Sequence, residues 1–391
     1  MKEGWEYKTL GEVGSFKRGG NFSKKDFVKD GFPCIHYGQI HTKFGIFTEK
    51  HLSCVPANIV KKERCAKKGD LVIAITSEDE EGSCKCTAWM ADYEAYVGGH
   101  TAIYSHTLNP LFMSYYFKSP IFQIEKLNYT HGFKVVEISP KDIAKIKIPI
   151  PSLEEQRRIV SYLDSSFKLI DEIKNKALKS LTEAKALFQS ALAEAMEPKE
   201  GTLMERIGDV FTTYAGGTPL KSQKDYYEGG EIPWLRSGEV CKKYISETEL
   251  YITQKGMENS SAKFYPENTV VVAMYGATAA QVGILKIKAT SNQAVCGIIP
   301  HKDFIPEYVY YWFLFVQDDL ASQAQGGAQP NISQIKIKNV LIPIINKEEQ
   351  KRIVSRLDKL SSKVRAIEEK YQKMVEECDA LKQAMLRDVF E

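Results

Sequence analysis

Two stretches of the chain carry apolar or small residues at alternating steps of four and three. One row is Ile353, Leu357, Leu360, Val364, Ile367, Tyr371, Met374, Cys378, Leu381 and Met385. The other is Ile159, Leu163, Ser166, Ile170, Ile173, Ala177, Ser180, Ala184, Leu187 and Ala191. This spacing holds one face of a long helix against a partner and predicts a coiled-coil seam. The first row is bulky throughout, whereas the second is small in its latter half, so the two helices are expected to pair with each other. Each opens on a capping signal, Ser152 three residues before Glu155 and Asn346 three before Glu349. Residues 1–151 and 201–345 behave differently. Short β-rich runs such as 71–75 and 270–274 are punctuated there by glycine and proline, which favours short strands and loops. Each segment also has one aromatic run, 113–117 and 308–315, that reads as a buried helix.

The pattern occurs twice. Residues Glu154-Glu155-Gln156-Arg157-Arg158-Ile159-Val160-Ser161 recur as Glu348-Glu349-Gln350-Lys351-Arg352-Ile353-Val354-Ser355. Ile148-Pro149-Ile150 likewise recurs as Ile342-Pro343-Ile344. A repeat of this length means tandem copies of one unit. The globular segments match more weakly: Pro33 and Gly38 align with Pro233 and Gly238, and residues 10–13 with 207–210. The expected fold is α+β, with two mixed α/β globular domains joined by two long antiparallel coiled-coil helices about a pseudo-twofold axis. The boundaries read 1–151, 152–196 for the first helix, a 197–202 linker, 203–345, and 346–391 for the second helix. At 1.5 Å per residue, roughly 40 helical residues make a rod of about 60 Å.

Charge narrows the function only when divided. The chain carries +3 overall, but residues 1–151 hold 21 Lys+Arg against 17 Asp+Glu, a net of +4. Affinity for DNA follows the number of phosphates neutralised, so the chain alone is expected to bind DNA weakly and to share a positive field with a partner. Eight cysteines without a Cys-x2-Cys pair predict reduced thiols. A metal site from His36, His41, His51 and Cys54 lacks both the spacing and a second half. No apolar run is long enough to span a membrane and no signal peptide opens the chain, so a cytoplasmic protein is expected.

Catalytic motifs are not found. Asn109-Pro110-Leu111-Phe112 lacks a proline of the adenine methyltransferase motif and has no glycine-rich cofactor turn before it. Gly216-Gly217-Thr218-Pro219-Leu220-Lys221-Ser222 lacks the spacing of a phosphate loop. Polar and basic loops at matched positions remain. In the first unit they offer Lys17, Arg18, Asn21, Lys24, Lys25, His36, Gln39 and Lys43. In the second they offer Thr218, Lys221, Arg236, Ser237, Gln281 and Asn331, with Thr278 and Gln329 beside them. Arginine reads guanine edges, asparagine and glutamine read adenine, and lysine anchors phosphates. These residues are the candidate DNA contacts.

The chain resembles the specificity subunit of type I restriction-modification systems. The resemblance rests on Gly216-Gly217-Thr218-Pro219, Ile232-Pro233-Trp234, Gly276-Ala277-Thr278, Asn292-Gln293, Asn331-Ile332-Ser333 and the repeated Ile-Pro and Glu-Glu-Gln motifs. The first unit departs from it, with Gly19-Gly20-Asn21-Phe22 and Gly99-His100-Thr101 at the corresponding places. The resemblance implies two target-recognition domains, each reading half of a bipartite double-stranded DNA site, and a helix pair that sets the gap. It implies two modification subunits carrying S-adenosylmethionine, and restriction subunits using ATP and Mg, with no catalysis, cofactor or metal in this chain. The competing reading is a coiled-coil scaffold without DNA specificity, in which Arg18, Lys221 and Arg236 would have no part in DNA binding.

Overall fold

The computed structural model describes residues 4–132, 135–323 and 331–391, so Gln329 lies outside the described residues. The chain forms two compact units, residues 1–178 with 372–391, and residues 179–371. Each contains a globular α/β body and a stretch of both long helices.

In the first unit a five-stranded sheet runs in the order Gly14–Arg18, Thr101–His106, Leu71–Ala74, Cys86–Trp89, Phe47–Thr48. In the second the order is Thr213–Ala215, Val295–Ile298, Val270–Ala273, Val282–Leu285, Tyr244–Ile245. Order and direction agree strand for strand, the last pair being parallel and the others antiparallel in both. A smaller sheet lies beside it. Phe32–Ile35 pairs with Ser53–Val55 and Ala95–Val97 in one unit, and Ile232–Leu235 pairs with Leu250–Ile252 and Thr290–Ser291 in the other. The first unit adds a strand, Cys65–Ala66. The strands Leu71–Ala74 and Val270–Ala273 are buried at every residue, which explains why they read as unbroken apolar runs rather than alternating ones. The aromatic runs are helices, Pro110–Lys118 and Pro306–Phe315.

The long helices span Leu153–Met196 and Lys347–Phe390, so Ser152 and Asn346 stand at their N-caps as the capping signals predict. The Ser152 hydroxyl accepts from Glu155 N at 3.2 Å, and Asn346 Oδ1 accepts from Glu349 N at 2.9 Å. Glutamine two residues into the repeated motif fastens each helix to its globular body. Buried Gln156 accepts from Asn109 N (2.9 Å) and donates to Pro151 O (2.9 Å). Buried Gln350 accepts from Ile305 N (2.8 Å) and donates to Asp303 O and Ile345 O (both 2.9 Å). Asn109 N and Ile305 N lie at the entrances of the two aromatic helices and Pro151 O and Ile345 O at those of the long ones, where an unpaired buried amide or carbonyl would be costly.

The helices pair antiparallel within each unit. In the first, Lys174 meets Asp379 at 2.6 Å and Lys382 meets Asp171 at 2.5 Å. In the second, Arg356 meets Glu194 at 2.9 Å, and Lys199, just past the end of the first helix, meets Glu349 at 3.9 Å. The seam differs from its expectation in one respect. One row is buried for most of its length, at Leu163, Ile170, Ala177 and Ala184 on one helix and at Leu357, Val364 and Cys378 on the other, with Tyr371 between the last two half-buried. The alternate row is covered at Ile159 and half-buried at Leu360 and Met374 but opens elsewhere, where Ile173, Leu187, Ile367 and Leu381 are 39–58% exposed. Two helices that meet along a single line leave much of the second row that a heptad pattern supplies uncovered. None of the described helices is long and apolar enough to cross a membrane.

Candidate nucleic-acid interface

Glycine pairs end the first strand of each central sheet and open a cleft. In the first unit Gly19 N donates to Thr101 O (3.0 Å) and Gly20 N to Val97 O (2.7 Å). In the second Gly216 N donates to Val295 O (3.2 Å) and Gly217 N to Ser291 O (2.8 Å). The backbones pass so close that a Cβ on Gly19 would lie 2.0 Å from Gly98 O, and one on Gly216 would lie 2.2 Å from Ser291 O. Only glycine fits at either place.

These bonds fix the register between the units. Val97 corresponds to Ser291, and Gly98 N bonds Ile35 O as Asn292 N bonds Leu235 O, each at 2.9 Å. Gly98 and Gly99 therefore stand where the second unit has Asn292 and Gln293. The segment expected from sequence, Gly99-His100-Thr101, begins one residue too late. Likewise Ile138 N bonds Ile75 O (3.0 Å) as Ile332 N bonds Met274 O (2.8 Å), which sets Glu137 opposite Asn331. Arg18 stands opposite Ala215, and His36 opposite Arg236.

The first cleft encloses about 600 Å³ and is lined by Arg18, Asn21, Arg64, His100, Glu137 and the glycines around them. Arg18 pairs with Glu137, and Arg64 donates to Gly19 O at 2.5 Å. Lys24 and Lys25 follow on an exposed 3₁₀ turn capped by Ser23. Lys17, next to Arg18 on a strand, directs its side chain to the opposite face. His36 and Gln39 are committed elsewhere. The buried His36 ring accepts from Gly38 N (3.2 Å), while Gln39 accepts from His36 N (2.9 Å) and donates to Ser53 Oγ (2.8 Å). They form a helix cap, and burial lowers the pKa of His36. Lys43 is exposed at the far end of that helix.

The second cleft encloses about 490 Å³ and gathers Thr218, Lys221, Lys224, Arg236, Asn292 and Gln293 over Trp234 and Tyr227. Thr218 donates to Gln293 Oε1, Trp234 Nε1 donates to Gly217 O at 3.0 Å, and Tyr227 OH donates to Pro219 O at 2.6 Å. Arg236 is held by Glu239 at 3.4 Å and also by Glu249. Ser237 starts the following turn. Gln281 and Asn331 stand apart from the cleft. Asn331 bridges Tyr275, and Gln281 Oε1 is buried without a partner among the described residues.

The sequence therefore found Arg18, Asn21, Thr218, Lys221 and Arg236 as cleft residues. It missed Arg64 and Glu137 as such, because contacts across 45 and 119 residues leave no local signal, and it passed over Lys224 and Tyr227 although Tyr227 bonds Pro219 only 8 residues away. Asn292, Gln293 and Trp234 were visible only as motif letters. Among the described residues no group of three or more His, Cys, Asp or Glu could hold a metal ion. The eight cysteines are free, and only Cys241 is exposed.

A family model described as "Type I restriction modification DNA specificity domain" matches residues 2–183 and again 200–377. The chain is 30% identical over 236 residues to the "Type I restriction enzyme EcoR124I/EcoR124II specificity subunit" of Escherichia coli, covering 58% of this chain and 57% of that protein. It is 22% identical to the EcoKI specificity subunit of Escherichia coli strain K12, covering 100% of this chain and 89% of that one. Among solved structures, a chain described under "complex assembly and conformational transition of the type I R-M system" superposes with TM-score 0.79 at 19% identity, covering 100% of this chain and 98% of that one. The HsdS subunit from Thermoanaerobacter tengcongensis gives TM-score 0.57 at 18% identity, covering 100% of this chain and 97% of that one.

Proposed function

The chain belongs to the type I restriction-modification DNA specificity family, and on that premise we propose how its two clefts divide the recognition task. It supplies recognition and no catalysis. Residues 1–151 and 203–345 act as target-recognition domains, each reading one half of a bipartite double-stranded DNA site. Helices 152–196 and 346–391, with the 197–202 linker, set the gap and dock two modification subunits. Those subunits carry S-adenosylmethionine, and restriction subunits bring ATP and Mg; the assembly is cytoplasmic.

One observation carries this reading above the scaffold alternative. A glycine-framed cleft recurs at the same register in both units, yet its polar lining differs completely. A scaffold needs neither the matched openings nor the arginine in each. Arg18 and Asn21 in the first cleft, and Thr218, Lys221, Arg236 and Gln293 in the second, are assigned to base edges and neighbouring phosphates. Lys17, Lys24, Lys25 and Lys43 add phosphate contacts outside the clefts.

Co-expression of the chain with its modification subunit, followed by single-molecule mapping of N6-methyladenine, tests the proposal. A single bipartite motif with a fixed gap is expected. A stable complex that methylates nothing new, or no complex at all, overturns it. In that assay Arg236→Gln should relax or abolish only one half-site, and Arg18→Gln only the other.

A further inference from the structure

Arg18 in the first cleft and Arg236 in the second are each held by a carboxylate that the fold brings from elsewhere in the same unit, whereas Arg64 in the first cleft donates to a main-chain oxygen. Arg18 Nη2 meets Glu137 Oε1, and the two side chains are 61% and 47% exposed. Arg236 Nη2 meets Glu249 Oε2, at 45% and 67%. The arginines occupy different places in the shared frame, since Arg18 corresponds to Ala215 and Arg236 to His36. The carboxylate moves with the arginine: the residue opposite Glu137 in the second unit is the neutral Asn331. Arginine and counter-charge are thus present together or absent together at that position.

Glu239 has a separate task. Its side chain is nearly buried and accepts from Arg236 N (3.2 Å) and Glu249 N (3.0 Å), so it builds the turn. Among the described residues Glu137 and Glu249 hold nothing comparable, and an exposed ion pair adds little to stability. A contribution to the fold does not account for them.

On the reading that the clefts bind DNA, we infer that Glu137 and Glu249 are specificity-determining residues that cancel the arginine charge toward phosphate while leaving it able to read guanine. A guanidinium has five N–H donors. Glu137 takes one from Arg18, and Glu239 with Glu249 take two from Arg236. Each arginine keeps enough donors for the O6 and N7 acceptors of a guanine. A phosphate gains little from Arg18, paired with one carboxylate, or from Arg236, paired with two, and is left to Arg64 in the first cleft and to Lys221 and Lys224 in the second. Guanine is uncharged and loses little from the adjacent carboxylate. The device weakens attachment to arbitrary DNA without weakening the specific contact, which is how specificity is obtained by disfavouring the wrong partner.

The test uses the full chain in complex with its modification subunits and two duplexes, one carrying the mapped motif and one scrambled. Glu137→Gln and Glu249→Gln keep the shape and remove the charge. Each should raise affinity for the scrambled duplex about fivefold, the scale of one exposed ion pair, and steepen the dependence of log K on log salt by about 0.9. Affinity for the motif duplex should change less, so the ratio between the two falls. Unchanged scrambled-duplex affinity and salt slope in both variants would overturn the inference. So would loss of motif binding alone, which would make the carboxylates positioning residues. If the wild-type complex binds neither duplex at low salt, it is the DNA-recognition reading itself that fails.

Discussion

The two globular bodies share every strand of the central sheet and almost none of the side chains in the cleft. What they share is backbone: the glycine pair, the amide bonds that cross it, the glutamine that ties each aromatic helix to a long helix. Even unusual conformations coincide. Cys84 (φ 63°) and Ala280 (φ 69°) take left-handed backbone at matched positions, each donating its amide to Ala74 or Ala273 at 2.9 Å. Below the frame the units part again. Tyr115 OH donates to Asp164 (2.6 Å) in the first, and Tyr311 OH donates to Asp358 (2.5 Å) in the second. Only the second adds a cation there, Lys243, at the position that Ile46 holds in the first. A frame fixed by main-chain bonds tolerates such exchanges because its register does not depend on them.

The largest expected effect exploits that added cation. The Lys243 side chain is 7% exposed and pairs with Asp358, which is 40% exposed. Asp358→Asn strands the buried ammonium and should cost about 3 kcal/mol or more. Asp164→Asn loses only a hydrogen bond from Tyr115, worth about 1 kcal/mol. Urea denaturation of the two variants checks this; equal losses would show that Lys243 adds nothing to the attachment.

A somewhat smaller effect belongs to the first unit alone. Lys126 lies buried under the acidic loop at 77–82 and donates to Ser83 O (2.6 Å) and Glu81 O (3.2 Å). Burial lowers its pKa to about 8 from 10.5. Between those values the unfolded chain binds the proton that the folded chain has released, so stability rises with pH across that window. The cost of burying the charge is complete below about 8 and gone above 10.5. The stability of the wild type relative to Lys126→Met should therefore increase by about 3 kcal/mol between those limits. A difference independent of pH would refute the assignment.

The smallest effect concerns the open helix row. Ile367→Asp and Ile173→Asp should each change stability by less than about 0.5 kcal/mol, while Leu357→Asp should unfold the protein. A large loss at Ile367 would restore the fully buried seam that the heptad pattern suggests.

Much of this architecture was legible in the residues. The repeat, the helix starts at Ser152 and Asn346, and the alignment of Pro33 and Gly38 with Pro233 and Gly238 needed only local patterns. The seam was half legible, since spacing defines two apolar rows but not which one a single neighbour covers. The clefts were less so. Arg18 and Arg236 stood out as charged residues beside glycines, whereas Glu137 and Glu249 look like any other surface glutamate until the sheet closes. His36 and Gln39 had the chemistry of base readers, and tertiary context turned them into a cap. The Gly98-Gly99 register was missed by one position, because these glycines sit in a turn whose place is fixed by the strands on either side.

The first unit is assembled from both extremes of the numbering. Leu386 and Phe390 sit in the same core as Phe112 and Tyr116, with ring centroids of Phe390 5.4 and 5.5 Å from theirs. The second unit is continuous, residues 179–371. During synthesis the earlier-made body therefore cannot complete its core until residues past 386 have cleared the ribosome, by which time the later-made body has been whole for some 20 residues of elongation, on the order of seconds. The order of birth and the order of completion are reversed, and the N-terminal half spends that interval with an apolar face awaiting its last helix.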